Sequence, residues 1–388
     1  MLWLSLLVMP LLAVLIDAAA SRARNYQPDE FNHEEHAFRI LVPIWGQVKY
    51  LLNVEYLSQY GSRVTLCTTG DETDSFYAQL TEIAQAHGFQ IYRDAALALD
   101  RGADEGCAQT QRSTSGTIRD RLIRNVLRSV EEPYAVPLDA DSTTSLPVSV
   151  LVGELAHKGY DIASIRVVPA NCGESALTRL QRFEYRYAMQ LRFILPWMIS
   201  GACQVANTSV LCDVMNRHSL FFQGNDVEIG VIAKARGYNV GHIPFEVLTD
   251  VPAKAWPLVR QRLAWAGGEF RLFIVNCQLV LRHPFLWIYG GVVAIGGFGL
   301  RWMTFFNPGY GLITGGAMYV CLVWYLHWRH RSAWLFLFPL FTLFSAMVMT
   351  PLGILWYVKM AIEGHNWGLI RPQRQGGPPA APERHLTA

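Results

Sequence analysis

The sequence has few charged residues, and its cysteines form no recognisable site. Charged side chains make up 16% of the 388 residues and hydrophobic ones 51%, whereas soluble globular proteins carry about 25% charged residues. The seven cysteines are scattered without a CxxC pair, which argues against a disulfide framework or a zinc site. The formal net charge is +2 and comes with no basic stripe, so nucleic acid is not an expected partner.

Apolar runs at the two ends of the chain predict segments that lie in a lipid bilayer. Residues 1–20 are almost purely apolar and long enough to span. Positive charge at Arg22 and Arg24 follows this run instead of preceding it, which favours an anchor with the rest of the chain in the cytosol. Residues 18–20 also resemble a signal-peptide cleavage site, which is the alternative interpretation.

The middle of the chain has the character of a globular domain. We expect a transmembrane helix at 1–20, a cytosolic domain at 38–269, an interfacial segment at 270–283, three to four transmembrane helices in 285–362 and a disordered tail at 372–388. The apolar stretch from 334 to 362 contains Pro351 and is either one kinked helix or a hairpin. This layout predicts an integral protein of the plasma membrane, with the lipid bilayer as a partner.

Short apolar runs alternate with helical patterns inside the central domain. Residues 38–42, 63–68, 89–92 and 134–138 read as strands, and 119–130 has helical spacing. Alternation of this kind predicts an α/β fold with a mostly parallel sheet. Ligands of such sheets bind beyond the carboxyl ends of the strands, and Pro43, Asp71 and Asp139 lie just past predicted ends.

Asp139 and Asp141 form the strongest short motif. They follow a buried strand at a spacing of two residues, so a turn can bring both carboxylates onto one hard cation. Mg²⁺ or Mn²⁺ would use such oxygen ligands together with substrate phosphates. A solvated turn is the alternative explanation of the pair, and the position after an apolar strand favours the metal site.

Two further motifs follow along the chain. Asp226 precedes a helical run, where it is either a helix cap or a general base that deprotonates a hydroxyl group. Residues 260–265 contain Gln261, Arg262 and Trp265. Arg and Gln suit diphosphate oxygens, and Trp suits a sugar ring, while an aromatic anchor at a membrane surface is the alternative.

The order of these motifs resembles that of the processive family-2 glycosyltransferases, such as hyaluronan, chitin and cellulose synthases. The resemblance covers about residues 38–265. It implies a nucleotide-sugar-binding domain of the GT-A type, a nucleotide-sugar donor, a glycan or lipid acceptor, and Mg²⁺ or Mn²⁺ on Asp139 and Asp141. Asp226 would be the catalytic base of a direct inverting displacement.

The resemblance also assigns binding roles. Donor contacts fall on Pro43, Trp45, Asp71, Asp139, Gln261 and Arg262, and acceptor contacts fall on Gly201, Cys203 and Trp265. The register of the acidic loop is open between Asp71 and Asp74. Residues 181–185 resemble the Gln-x-x-Glu-Tyr stretch that precedes the acceptor site in that family.

The chain departs from the family pattern at three places. Asn225 stands where the family has Glu, which removes a supporting carboxylate. Ala264 stands where the family has the arginine that grips the donor diphosphate, so Arg262 or Arg260 would have to substitute. A lysine-rich turn expected before the helix near Arg119 is absent, and Arg112 is the nearest basic candidate for its role. These departures bear on donor identity more than on fold.

The implied function is a membrane hexosyltransferase that extends a polysaccharide and is coupled to its export. A single-addition enzyme acting on a ceramide or polyprenyl phosphate is the alternative, and a scaffold with a degenerate transferase domain is a third. Trp265 favours the first, because an extended glycan needs a platform on which to stack. The small number of membrane segments favours the second, because a channel needs several helices.

Overall fold

The computed structural model describes residues 31–95, 115–193, 195–220, 222, 225–276, 332–338, 341 and 344–363. The predicted anchor at 1–20, the part of the predicted membrane region at 285–331 and the tail at 372–388 lie outside these residues. Within the described ranges, none of the helices combines the length and the apolar character needed to cross a membrane.

One sheet of eight strands forms the centre of the described structure. The strands are β1 (Phe38–Pro43), β2 (Val64–Thr69), β3 (Gln90–Asp94), β4 (Tyr134–Pro137), β5 (Thr143–Thr144), β6 (Ile162–Pro169), β7 (Val205–Asn207) and β8 (Val240–Thr249). Their order in the sheet is β3-β2-β1-β4-β7-β6-β8-β5. The pairs among β3, β2, β1 and β4 are parallel, as is β6 with β8, whereas β7 runs antiparallel to both of its neighbours and β5 to β8.

Helices cover both faces of this sheet. They are α1 (Val54–Ser58), α2 (Asp74–His87), α3 (Ser115–Val126), α4 (Val148–His157), α5 (Ala176–Leu191), α6 (Thr208–Arg217), α7 (Asn225–Ala235), α8 (Ala255–Val275) and α9 (Thr350–Glu363). Short 3-10 turns lie at Val48–Tyr50, Gly61–Arg63, Leu127–Ser129 and Ala333–Phe336, and a π turn at Ser345–Met349 leads into α9. The sequence-predicted strands are all present, with their ends moved by one or two residues.

Burial on both faces explains why the strands read as continuous apolar runs. Every residue of β2 is buried, as expected for a parallel sheet with helices on both sides. Successive residues of β1 point to opposite faces, so Ile40 and Val42 join one hydrophobic core and Leu41 joins the other. The two cores fix the register of the sheet and with it the positions of the strand ends.

Helix α8 continues beyond the domain end predicted at residue 269. It runs to Val275, and Leu272 is buried in the second hydrophobic core. The described part of the segment predicted to be interfacial, 270–276, therefore belongs to a helix that packs on the domain. Leu272, the first residue of the apolar run, faces this core, and residues 277–283 lie outside the described residues.

Helices α8 and α9 approach each other very closely. A Cβ placed on Gly353 would lie 2.5 Å from the carbonyl oxygen of Leu263, and one on Gly267 would lie 2.6 Å from that of Gly353. Only glycine leaves room for this contact, so the pair of glycines sets the distance between the helices. The contact brings α9 against the helix that carries Gln261 and Trp265.

Candidate active site

Three of the predicted donor-binding residues lie at the carboxyl ends of neighbouring strands. Pro43 ends β1 and pairs in parallel with Cys67 of β2. Trp45 follows it, is half-buried and packs on the second core. The Asp139 turn begins directly after β4, the other neighbour of β1. Because these strands are parallel, their carboxyl ends place the three residues on the same side of the fold.

Asp71 and Asp74 occupy different environments. Asp71 follows β2, and both of its carboxylate oxygens are buried with no hydrogen-bond partner among the described residues. Asp74 is exposed in the first turn of α2, beside the capping residue Thr73. A buried carboxylate without a partner is costly, so Asp71 is the position of the two that is suited to receiving a hydroxyl or amide donor from a ligand.

The Asp139–Ser142 turn is held from below by Asn53. The side-chain amide of Asn53 donates hydrogen bonds to the carbonyl oxygens of Asp139 at 3.0 Å and of Ser142 at 2.6 Å. The amide nitrogen of Ser142 closes the turn on the Asp139 carbonyl at 3.0 Å. These bonds fix the backbone, so both aspartate side chains leave the turn from a rigid base.

The two carboxylates of this turn suit a divalent cation. Burial raises the pKa of Asp141, and the charge of Asp139 raises it further, so a cation at this place would relieve an unfavourable interaction. Among the described residues, no group of three or more His, Cys, Asp or Glu side chains is arranged for a metal ion. Mg²⁺ is commonly held by one or two carboxylates plus substrate phosphates, and the donor set of Asp139 and Asp141 therefore fits it.

The predicted acceptor turn lies directly beside the aspartates. The amide nitrogen of Asp139 donates to the carbonyl oxygen of Ala202 at 3.0 Å, and Leu138 forms an antiparallel bridge with Cys203. Burial, followed by the charge of Asp139, raises the pKa of the Cys203 thiol to about 12. Cys203 is therefore a neutral, buried side chain that packs in the core.

Arg119 of α3 joins these parts together. Its Nε donates to Asp139 Oδ1 at 2.6 Å, its Nη1 to Asp120 Oδ1 at 2.9 Å, and its Nη2 to the Gly201 carbonyl. Burial acts to lower the pKa of the guanidinium, but the charges of Asp139 and Asp120 outweigh it and the pKa is raised. A permanent positive charge thus lies between the aspartate turn and the acceptor turn.

Asp226 lies beside Gly201 of the same acceptor turn. It is in the first turn of α7, which begins at Asn225, and a Cβ placed on Gly201 would be 3.6 Å from Asp226 Oδ2. Burial is the main reason that the pKa of Asp226 is raised; Arg119 acts against it, and Asp120 adds to it. A carboxylate with a raised pKa is a stronger base once it is ionised.

Gln261, Arg262 and Trp265 lie on α8, and α5 supplies their neighbours. Arg262 Nη2 contacts Glu184 Oε2 at 2.5 Å, and its guanidinium carbon lies 4.2 Å from the Trp265 ring centroid. The Tyr185 ring is 6.2 Å from that of Trp265. These four residues, Glu184, Tyr185, Arg262 and Trp265, are called the Trp265 cluster below. Gln261 Oε1 is buried without a hydrogen-bond partner among the described residues.

A buried ionic network lies behind Asp226 on α7. Glu228 is fully buried and contacts Arg271 of α8, and it accepts a hydrogen bond from Ser219 Oγ at 2.9 Å. His218 Nε2 lies 3.4 Å from the same carboxylate. Burial acts to raise the pKa of Glu228, but His218 and Arg271 outweigh it and the pKa is lowered. The network ties α7 to α8.

The segment that leads into Asp226 has an unusual backbone. Leu220 and Phe222 have φ values of 49° and 65°, in a region of backbone conformation that residues other than glycine rarely adopt. The Phe222 ring is buried and lies 5.3 Å from Trp356 and 5.5 Å from Tyr357, both of α9, in edge-to-face contacts. Helix α9 thus packs against Phe222, four residues before the candidate base.

Sequence reasoning missed Asn53, Glu184 as the partner of Arg262, and the site role of Arg119. The last had a detectable signal. Arg119 lies at helical spacing with Leu122, Ile123 and Val126, which are buried, so a charged residue falls on the apolar stripe of α3. A charge at such a position indicates a buried partner or a functional site.

Comparisons with known proteins show the family and the fold of the chain. The sequence pattern named Glycosyl transferase family group 2 matches residues 136–362, which is more than half of the 388 residues. A mannosyltransferase from Pyrobaculum calidifontis, solved in complex with GDP-Man and Mn²⁺, has a similar fold, with a TM-score of 0.53 at 14% identity over 94% of this chain and 98% of that one. This likeness confirms the predicted GT-A type α/β fold.

Two N-acetylglucosaminyltransferases are similar in sequence. The protein of Rhizobium sp. (strain N33) is 27% identical over 161 residues, and that of Mesorhizobium japonicum (strain LMG 29417 / CECT 9101 / MAFF 303099) is 29% identical over 161 residues. Each match covers 37% of this chain. The chain spans only 36% and 38% of the lengths of these two relatives.

Proposed function

This chain belongs to glycosyl transferase family group 2, and on that basis we propose that it transfers a sugar from a nucleotide-sugar donor to a growing polysaccharide. A UDP-sugar is the donor that we expect. One observation carries the proposal. Arg119 joins the candidate metal carboxylate of Asp139 to the turn at Gly201, and the carboxylate of the candidate base Asp226 lies beside the same turn. A donor phosphate and an acceptor hydroxyl can therefore meet there.

The reaction would be a single displacement with inversion. Asp226 would accept the proton of the acceptor hydroxyl while that oxygen attacks the anomeric carbon. The bond between the anomeric carbon and the donor diphosphate breaks, and its electron pair leaves with the diphosphate. A divalent cation on Asp139 and Asp141, Mg²⁺ or Mn²⁺, supplies charge neutralisation for the departing diphosphate when it is bound.

The strand-end loops would hold the donor. Pro43 and Trp45 would border the nucleobase. The buried carboxylate of Asp71, which has no partner in the described part of the chain, suits a hydrogen-bond donor of the nucleoside. The buried amide oxygen of Gln261, likewise without a partner among the described residues, would accept from a hydroxyl of either substrate. These roles rest on position and on unsatisfied hydrogen-bonding capacity.

The Trp265 cluster would form the acceptor platform. Trp265 is exposed on one side, and its other contacts include Arg262 and Tyr185. An exposed aromatic face that is held in place suits stacking with a sugar ring, and a polymer that is extended step by step needs such a platform. The small residues at Gly201 and Cys203 would leave room for the terminal sugar.

A lipid-linked acceptor is the second candidate, and one observation favours it. Helix α9 exposes Leu352, Leu355 and Ile362, and apolar side chains at this density suit contact with lipid. Membrane anchorage, a plasma-membrane location and a cytosolic catalytic domain remain part of the proposal and rest on the apolar runs of the sequence. Protease protection of the central domain in sealed vesicles tests this orientation.

The central experiment uses the purified full chain in nanodiscs. It is incubated with a panel of radiolabelled UDP- and GDP-sugars, Mn²⁺ or Mg²⁺, and either oligosaccharide or lipid acceptors. We expect transfer from one donor, loss of transfer with EDTA, and products of increasing length on the glycan. A single product on a lipid would favour the second candidate. Absence of transfer from every donor, or full activity of Asp139→Ala, would overturn the proposed function.

A further inference from the structure

The sequence nominates Arg262 or Arg260 for the charge that neutralises the leaving diphosphate, and the structure places Arg262 in other contacts. Arg112, the basic candidate before α3, lies outside the described residues. Position 264 is alanine, and Arg262 is buried in its ion pair with Glu184 and its contact with Trp265. Arg260 is exposed on α8. Arg262 is thus already neutralised inside the Trp265 cluster, and moving it would leave Glu184 without its partner.

Arg119 is placed differently. Its side chain is only 11% exposed, yet its Nε contacts the carboxylate of Asp139, whose side chain is 34% exposed. Its two other contacts, Asp120 and the Gly201 carbonyl, come from its own helix and from the acceptor turn. Asp120 is 1% exposed, so it anchors the guanidinium while the contact with Asp139 faces the substrate region.

We infer that Arg119 is a donor-site residue: it neutralises Asp139 in the empty enzyme and contributes its charge to the donor diphosphate when a divalent cation takes that carboxylate. The inference rests on the proposed function. Two consequences follow from elementary electrostatics. A cation that binds Asp139 competes with Arg119, and a diphosphate that binds beside the cation is attracted by Arg119.

The two consequences have opposite signs, which makes the inference testable by binding alone. In Arg119→Met the charge is lost while most of the side-chain volume is kept. We expect Mn²⁺ titrated without nucleotide to bind this variant more tightly than wild type, and UDP titrated in EDTA to bind more weakly, each by about tenfold. A residue that only holds the two turns in place would lower both affinities together.

The titrations are made by calorimetry on the full chain in nanodiscs, with GDP in place of UDP if wild type does not bind UDP. Arg119→Gln, which keeps a donor for the Gly201 carbonyl, is measured in parallel, so that the test stands if the methionine variant fails to fold. Arg39→Met is the matched control, because Arg39 is a part-buried arginine paired with Glu132 at the opposite, amino end of β1. The control should match wild type in both titrations.

The outcomes separate the two proposals. If wild type binds Mn²⁺ and nucleotide but the Arg119 variants do not shift in opposite directions, the role of Arg119 is wrong and the proposed function stands. If wild type binds neither Mn²⁺ nor nucleotide under any condition, the proposed function fails and the inference fails with it. Opposite shifts in both variants, with Arg39→Met unchanged, support the inference.

Discussion

Arg262 of α8 and Glu184 of α5 form an ion pair of 2.5 Å that lies against the ring of Trp265. The pair is nearly buried on the arginine side, where 7% of the side chain is exposed. It couples the helix that carries Gln261 to the helix that carries Tyr185. The consequence is a tryptophan whose ring is braced by charged and aromatic neighbours while part of it stays open to a substrate.

Replacement of Trp265 by alanine should weaken acceptor binding and leave donor binding unchanged. The aromatic platform contributes stacking energy to the acceptor alone, so we expect the acceptor KM to rise about tenfold with an unchanged Kd for UDP. Initial rates at varied acceptor concentration and calorimetry with UDP measure the two quantities. Trp256→Ala is the matched control, since Trp256 is on the same helix, 72% exposed and outside the cluster. Equal effects of the two variants would contradict an acceptor role.

Asp226→Asn should abolish transfer while the donor still binds. Asparagine keeps the size of the side chain but cannot accept the proton of the acceptor hydroxyl, and loss of a general base typically costs about 10²- to 10⁴-fold in rate. Single-turnover transfer of radiolabelled sugar and calorimetry with UDP check this. Asp213→Asn serves as the control, because Asp213 lies in a surface network with Arg217, Arg236 and Tyr238. Transfer by Asp226→Asn at the wild-type rate would remove Asp226 from the mechanism.

The pH profile should show an acid limb set by Asp226. A base works in its ionised form, so kcat/KM falls as the pH drops through its pKa. Burial raises this pKa, so the limb should lie above about 3.9, the ordinary value for an aspartate. Rates at subsaturating acceptor and saturating donor between pH 4 and 8 locate it. A profile that stays flat down to about pH 4 would contradict the raised pKa.

Glu228→Gln should destabilise the fold by about 3–5 kcal/mol, since it leaves Arg271 buried without its carboxylate. The folded-state pKa of Glu228 is lowered, so its stabilising contribution is present above the unfolded pKa of about 4.3 and is lost as the pH falls through the folded value. The difference in unfolding free energy between wild type and variant should therefore shrink on acidification. Denaturant unfolding across pH measures it.

The matched control for Glu228 is Glu246→Gln. Glu246 pairs with Arg166 at the surface, with 41% and 44% of the two side chains exposed, and exposed pairs contribute about 0–1 kcal/mol. Its replacement should change the unfolding free energy little and without a comparable pH trend. If the two variants lose the same unfolding free energy, the ionic network between α7 and α8 does not stabilise the fold by the expected amount.

Gly230→Ala should prevent α7 from packing in its place. A Cβ at this position would lie 1.7 Å from the carbonyl oxygen of Trp197. Because that oxygen belongs to the backbone, either the Trp197 backbone or the helix that carries Asp226 would have to move. We expect a large fall in Tm, with overpacking costing about 1–3 kcal/mol or more. Gly173→Ala is the control, because a Cβ there meets nothing within 4 Å. If Gly230→Ala has the same Tm as wild type, α7 does not pack against the Trp197 carbonyl as described.

Much of the fold could be predicted from single segments. The strands were recognisable because residues buried on both faces read as apolar runs, as in β2 where every residue is buried. Strand ends were less certain, since hydrogen bonding to neighbours decides them: Arg63, predicted as strand, lies in a 3-10 turn. An apolar helix stripe looks the same whether lipid or protein covers it, so the sequence alone does not reveal that Leu272 packs on a core of the domain.

The sequence by itself determined the motifs, because Asp139, Asp141, Asp226 and Gln261 are recognised from their neighbours in the chain. Tertiary structure alone decided how they are joined. Arg119 meets Asp139 across 20 residues and Gly201 across 82, and Arg262 meets Glu184 across 78. No local pattern encodes such partners, because the packing of α3 and α5 against the rest of the fold brings them together. That packing places Arg119 against Asp139, whereas the sequence nominates Arg262 or Arg260 for the charge at the donor diphosphate.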